Sequence, residues 1–114
     1  MMKKIGGNIS AQLQVKTTTK NAIGESVPTW ETRYTLTGFL DLANGESRYT
    51  TYNAKMQEST HYFICDYVKL DAVEAENSRM LINGKTYDVM FIDNPMEMNY
   101  HLEIYLKYTG AQIG

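Results

Sequence analysis

The chain has 114 residues, 43% of them hydrophobic and 21% charged, with a formal net charge of −2. That length makes one domain around one core, burying roughly 65% of its unfolded surface. The slightly acidic balance argues against a protein that grips DNA or RNA by neutralising phosphates. The single cysteine, Cys65, excludes an intramolecular disulfide and fits a reducing compartment. No apolar run approaches the ~20 residues of a membrane helix. The N-terminus lacks the apolar stretch of a signal peptide. The expected site of action is therefore the cytoplasm, with no membrane partner.

Residues 1 to 8 read as a flexible arm, because Gly6 and Gly7 discourage regular structure. From Ile9 to Thr18 apolar and polar residues alternate, with Ile9, Ala11, Leu13, Val15 and Thr17 on one parity. A period of two predicts a strand with one buried face. Lys20 to Glu25 reads as a turn, since Asn21 and Gly24 tolerate positive φ. A second extended stretch runs from Val27 to Leu42. Trp30, Tyr34, Leu36, Leu40 and Leu42 share its apolar parity, which places Trp30 in the expected core. Gly38 marks a bend or bulge, so the stretch is one long curved strand or two.

Ala43 to Glu58 breaks the pattern, with turn residues at its start, Tyr49, Tyr52, Arg48 and Lys55, and no sustained apolar period. Loops longer than roughly 12–15 residues are uncommon in compact domains and are usually functional or disordered. Two readings stay open at this point, a mobile functional loop and a plain hairpin extension. Thr60 to Val68 is a strand with apolar residues on both parities. Phe63, Cys65 and Tyr67 lie on one, and Tyr62, Ile64 and Val68 on the other. A strand apolar on both faces predicts a second contact, with Tyr62, Phe63, Ile64 and Tyr67 as candidate subunit-interface residues.

Asp71 to Arg79 holds a helical turn at most. Met80-Leu81-Ile82 and the stretch from Thr86 to Asp93 flank Asn83-Gly84, the strongest short hairpin signal. Tyr87, Val89 and Phe91 share one parity of the second arm. Asn94-Pro95 ends it. From Met98 to Tyr108 the alternation is unbroken, with Met98, Tyr100, Leu102, Ile104, Leu106 and Tyr108 on the apolar side. Residues 111 to 114 form a polar tail. The expectation is one all-β domain over residues 9 to 110, a small antiparallel barrel or sandwich of about six strands.

Chemistry is sparse. His61 and Cys65 share a parity, but four residues along a strand is ~13 Å, too far for a direct pair. Cys65 falls in an apolar strand, where a thiol is usually inert packing. His101, on the polar parity, is expected to face solvent. The methionines Met80, Met90, Met96 and Met98 are expected to fill core, with an interface as the other role that suits adaptable Met. Tyr49, Tyr52 and Tyr62 with Arg48 and Lys55 would suit a stacking platform for single-stranded nucleic acid, but Glu46, Glu58 and Asp66 weaken it. No catalytic residue, cofactor or metal site is expected, and no enzyme activity.

The order of these features resembles the phage head–tail joining proteins, also called head-closure or connector stopper proteins. The resemblance runs from about Ile9 to Gly110. It rests on a first strand at Leu13 to Thr18, the polar turn Asn21 to Glu25, Trp30, and Phe39-Leu40-Asp41 before Gly45-Glu46-Ser47. Glu58-Ser59-Thr60-His61 then enters a central strand. Arg79-Met80-Leu81-Ile82-Asn83-Gly84-Lys85-Thr86-Tyr87-Asp88-Val89 matches the closing signature, followed by Asp93-Asn94-Pro95 and Leu102-Glu103-Ile104. Asp66 stands where the family often has a basic residue.

The resemblance implies structural work in a tailed phage or prophage, in the host cytoplasm during assembly and then at the virion connector. It implies a homo-oligomeric ring that closes the DNA-filled head and offers the tail a docking surface. The partners would be a portal or adaptor protein above, a tail-completion protein below, and double-stranded DNA transiently in the channel. By position, Asn44, Gly45, Glu46, Arg48, Tyr49, Tyr52 and Lys55 become the channel-loop candidates. The alternatives are a tail-completion or tail-tube-type protein on a similar scaffold, or a nucleic-acid-binding barrel.

Overall fold

Strands with one apolar face must share it, and here they do so around a single interior. The computed structural model describes residues 4–43 and 58–112. The strands are β1 (Ile9–Lys20), β2 (Ser26–Leu42), β3 (His61–Asp66), β4 (Ser78–Ile82), β5 (Lys85–Asp93) and β6 (His101–Gln112). All pairings are antiparallel, and the order β1-β2-β3-β6-β5-β4 closes on itself as a barrel. Closure leaves no open sheet edge along the paired lengths. Two short 3-10 turns, Ala75–Asn77 and Pro95–Glu97, lie between the strands. This is the all-β antiparallel class expected from the alternation.

The interior is filled by the predicted parities. Ala11 and Leu13 of β1, Leu36 of β2, Phe63 and Cys65 of β3, Met80 and Ile82 of β4, Tyr87 and Val89 of β5, and Leu102, Ile104 and Leu106 of β6 form one buried cluster. Gly38 lies where β2 meets β3. A Cβ there would overlap the Ile64 carbonyl oxygen and come within 2.9 Å of the Phe63 ring. Glycine is needed for that close approach. The β4–β5 turn is the expected Asn83-Gly84, at φ 53° and 76°. Both central residues at positive φ match the right-handed strand twist.

Two bulges change which residues face inward. Between β1 and β2, Leu13 pairs with Tyr34 but Gln14 pairs with Thr32, so Arg33 is the extra residue. Between β5 and β6, Val89 pairs with Leu106 and Phe91 with Tyr105, so Met90 is extra. An added residue flips every side chain beyond it to the other face. Trp30, expected in the core, therefore lies on the outside and is 37% exposed. Phe91 likewise turns outward, and Ile92 takes the inward position opposite Ile104.

The last strand begins at His101 rather than Met98. Before it, the Asn94 Oδ1 accepts the Asn99 N–H at 3.1 Å, and the Asn94 side-chain amide donates to Asn99 Oδ1 at 2.8 Å. This clasp and the positive φ of Met96, Glu97 and Asn99 replace the expected extended start. Met96 and Met98 are thereby left exposed, at 87% and 60%, and only Met80 of the four methionines is a fully buried core residue.

The β1–β2 hairpin outruns the barrel. β4 pairs with β1 only as far as Val15, and β3 pairs with β2 only from Gly38 onward. Lys16 to Lys20 and Ser26 to Trp30 pair only with each other, as a two-stranded arm. Its turn is held by the Asn21 Oδ1, which accepts the Ile23 and Glu25 N–H groups at 3.1 and 3.0 Å. The molecule is correspondingly elongated, 52 × 31 × 25 Å.

Candidate assembly surfaces

The outer face of β3, β6 and β5 carries aromatic and acidic side chains side by side. Register places Tyr62 opposite Tyr105, Phe91 opposite Tyr105, Ile64 opposite Glu103, and Asp93 opposite Glu103. On the β2 side, Phe39 stands opposite Ile64 and Asp41 opposite Tyr62. The Tyr62 and Tyr105 rings are 6.1 Å apart, and Phe91 lies 6.3 Å from Tyr105. Such spacings suit tilted aromatic pairs. Tyr105 is buried beneath its neighbours, Tyr62, Ile64 and Phe91 are half-buried, and Phe39 is 42% exposed.

A polar chain edges this patch. The Tyr105 hydroxyl donates to Glu103 Oε1 at 3.1 Å, and His101 Nε2 lies 3.0 Å from Glu103 Oε2. His101, expected to face solvent, is half-buried here, and its Nδ1 is enclosed without a hydrogen-bond partner among the described residues. Burial and the neighbouring Glu103 push the Asp93 carboxyl above the usual carboxylate range, against the opposing pull of His101.

Asp66 has a different task. Its Oδ1 accepts the Ile5 N–H at 2.6 Å and its Oδ2 the Gly6 N–H at 3.0 Å. These bonds hold the Asp66 carboxyl below its ordinary range, with a smaller pull from Lys4. The Asn8 N–H donates to the Gly38 carbonyl at 3.1 Å. A Cβ on Gly7 would overlap the Gly38 backbone. Residues 5 to 8 thus lie strapped across the β2–β3 junction by an acid. A basic residue at position 66 would offer those amides no acceptor.

Near the base of the arm, the outside of β1 and β4 holds a chain of side-chain bonds. The Arg79 Nε donates to Gln14 Oε1 at 2.7 Å, Gln14 Nε2 donates to Thr32 Oγ1 at 3.1 Å, and Thr32 Oγ1 donates to Gln12 Oε1 at 3.2 Å. The Arg79 guanidinium lies over the Trp30 ring, 4.4 Å from its centroid. Lys16, Trp30, Glu76, Asp88 and Met90 line an open groove of about 300 Å³ beside it.

Of the expected interface residues, Tyr62 and Ile64 lie on the outer face, and Tyr67 packs against the core cluster from beyond the end of β3. Phe63 corrects the expectation. It points inward, is fully buried, and fills the barrel, because in a strand only alternate residues reach the surface. Phe39, Phe91 and the buried Tyr105 complete this outer face. The bulge at Met90 hides Phe91 from parity. The channel-loop candidates Asn44, Gly45, Glu46, Arg48, Tyr49, Tyr52 and Lys55 lie outside the described residues.

Burial pushes the Cys65 thiol up to about 11, with a smaller contribution from Asp66, so the thiolate that a nucleophile or metal ligand needs is scarce at neutral pH. The His61 Nδ1 sits 2.8 Å from Thr60 Oγ1, and its ring packs edge-on to Tyr87. Among the described residues no group of three His, Cys, Asp or Glu side chains could hold a metal ion, and no helix is long and apolar enough to cross a membrane.

Comparison with known proteins agrees with this architecture. The model of the family described as phage head completion protein matches residues 8–107. The solution structure of protein SF1141 from Shigella flexneri 2a is similar in fold, with a TM-score of 0.69 and 17% identity, covering 97% of this chain and 100% of that one. No curated protein matches.

Proposed function

This chain belongs to the phage head completion protein family, and from that premise we propose that it is a structural virion protein that closes the DNA-filled head of a tailed phage or prophage. Several copies stand as a ring at the head–tail connector, with a portal or adaptor protein on one side and a tail-completion protein on the other. The family match over nearly the whole described barrel carries this reading. The work is mechanical, and no bond is made or broken.

The surface fits such a role. The outer aromatic patch of Tyr62, Phe91 and Tyr105 offers apolar area with hydrogen-bonding hydroxyls, the composition enriched where proteins meet. Its carboxylates, Asp41, Asp93 and Glu103, offer nucleic-acid phosphates no cation. The same charges disfavour a single-stranded nucleic-acid binder, which needs cations beside its stacking platform. Residues 44 to 57 are the segment we assign to the channel, by their place between β2 and β3.

The test is genetic and physical. Heads assembled without this protein should package DNA and then lose it, and supplying the protein in trans should restore retention and tail attachment. Heads that hold their DNA and join tails in its absence would refute the assignment.

A further inference from the structure

Among the described residues two surfaces have no partner within the chain, and their charges are opposite. The first is one side of the β1–β2 arm. Residues directly opposed in an antiparallel ladder share a face. Lys16 with Trp30, Thr18 with Pro28, and Lys20 with Ser26 therefore line one side of the arm. That side presents two cations, with Arg79 stacked on Trp30 at its root and Ile23 79% exposed at the tip. Its carboxylates are confined to the ends, Glu76 and Asp88 in the groove below Lys16 and Glu25 in the turn. A two-stranded ladder standing alone is marginal in water, so the arm calls for a partner.

The second is the acidic aromatic face of β3, β6 and β5, with Asp41, Asp93 and Glu103 around Tyr62, Ile64 and Phe91. Strand order sets β6 three strands from β1 whichever way the barrel is followed. The arm therefore leaves the barrel from the side opposite β6, where its base meets Asp88 and Met90 of β5. Its five β1 residues beyond Val15 reach ~17 Å, close to the ~20 Å of the six-residue β3.

We propose that the arm of one copy lies across the outer face of β3, β6 and β5 of the next, with Lys16 and Lys20 among that copy's carboxylates. The contact joins two different patches, so it is head-to-tail, and its repetition closes a ring when the rotation allows. This inference rests on the ring reading given above and adds which surfaces make the ring.

Cysteine pairing in assembled heads tests it. Thr18→Cys and Ile64→Cys are placed in separate chains, which are mixed, assembled and oxidised, while buried Cys65 stays silent. A disulfide-linked pair that forms in the mixture, and a ladder of higher multimers from the chain carrying both substitutions, are expected. Heads with the full copy number but no such link would overturn the arm contact while leaving the ring intact. One copy per head would overturn both. A link from Ile64→Cys to a different virion protein would assign the face to that protein and also overturn the contact. As a second measurement, Lys16→Glu with Lys20→Glu should cut incorporation into heads at least tenfold, and Asp93→Lys with Glu103→Lys in the neighbouring copy should recover it. Unchanged incorporation by the reversed arm, in a variant that melts like the parent, would count against the proposal.

Discussion

The guanidinium of Arg79 rests over the ring of Trp30, 4.4 Å from its centroid, on the outside of the barrel. The contact joins β4 to the arm without touching the core. A surface cation–π pair contributes about 0.5–1 kcal/mol. Trp30→Ala should therefore cost about 1 kcal/mol, whereas Phe63→Ala, which empties the interior, should cost ~3–5 kcal/mol. Urea denaturation of both variants checks this. Equal losses would mean that Trp30 is a core residue after all.

Gly38 sets the closest approach between β2 and β3. Its added Cβ would strike the Ile64 carbonyl, a backbone atom that cannot rotate away. Gly38→Ala should destabilise by at least ~1–3 kcal/mol, the usual range for overpacking. Thermal melting of that variant at the parent's temperature would contradict the β2–β3 register.

The N-terminal strap should respond to acid. The Ile5 and Gly6 N–H groups stabilise the ionised Asp66 carboxylate, so its folded value lies below its unfolded one. The strap's contribution is then complete above the ordinary aspartate range and is lost as pH falls through the depressed value. The amide resonances of Ile5 and Gly6 should move toward their unstructured positions in that acid window. In Asp66→Asn they should sit there already at neutral pH. Amides that ignore both changes would show that Asp66 does not hold the strap.

Cys65 should be inert in the folded chain. Burial raises its thiol to about 11, so a thiol reagent at pH 8 should modify it only as fast as the barrel opens. Labelling should accelerate with urea in step with unfolding. Rapid labelling of native protein would place the thiol outside the core.

How much of this was legible in the residues follows from what a period of two can and cannot carry. Leu102, Ile104 and Leu106 alternate without interruption, and they are where the pattern put them. Asn83-Gly84 named its own turn, because so few residues accept positive φ twice in succession. Trp30 and Phe91 were misplaced for one shared reason. A bulge at Arg33 or Met90 inserts a residue without any compositional mark, and parity beyond it inverts. Met96 and Met98 went astray because the Asn94–Asn99 clasp is a side-chain device that hydropathy does not register. The doubly apolar β3 puts Tyr62 and Ile64 on the outer face, half-buried. It could not show that Phe91 and Tyr105, distant in sequence, complete the patch.

The channel assignment makes its own demand on residues 44 to 57. Deleting Tyr49 to Lys55 should leave the barrel folded, since the paired lengths of all six strands lie outside that segment, yet heads carrying the deletion should leak DNA. Full retention would remove the segment from the channel.

The most direct measurement of the central claim is the copy number of this protein on DNA-filled heads, obtained from the mass or the image of the isolated connector. A closed ring of many identical copies seated against the portal is the predicted result. A single copy, or heads that mature and hold DNA with none, would contradict it.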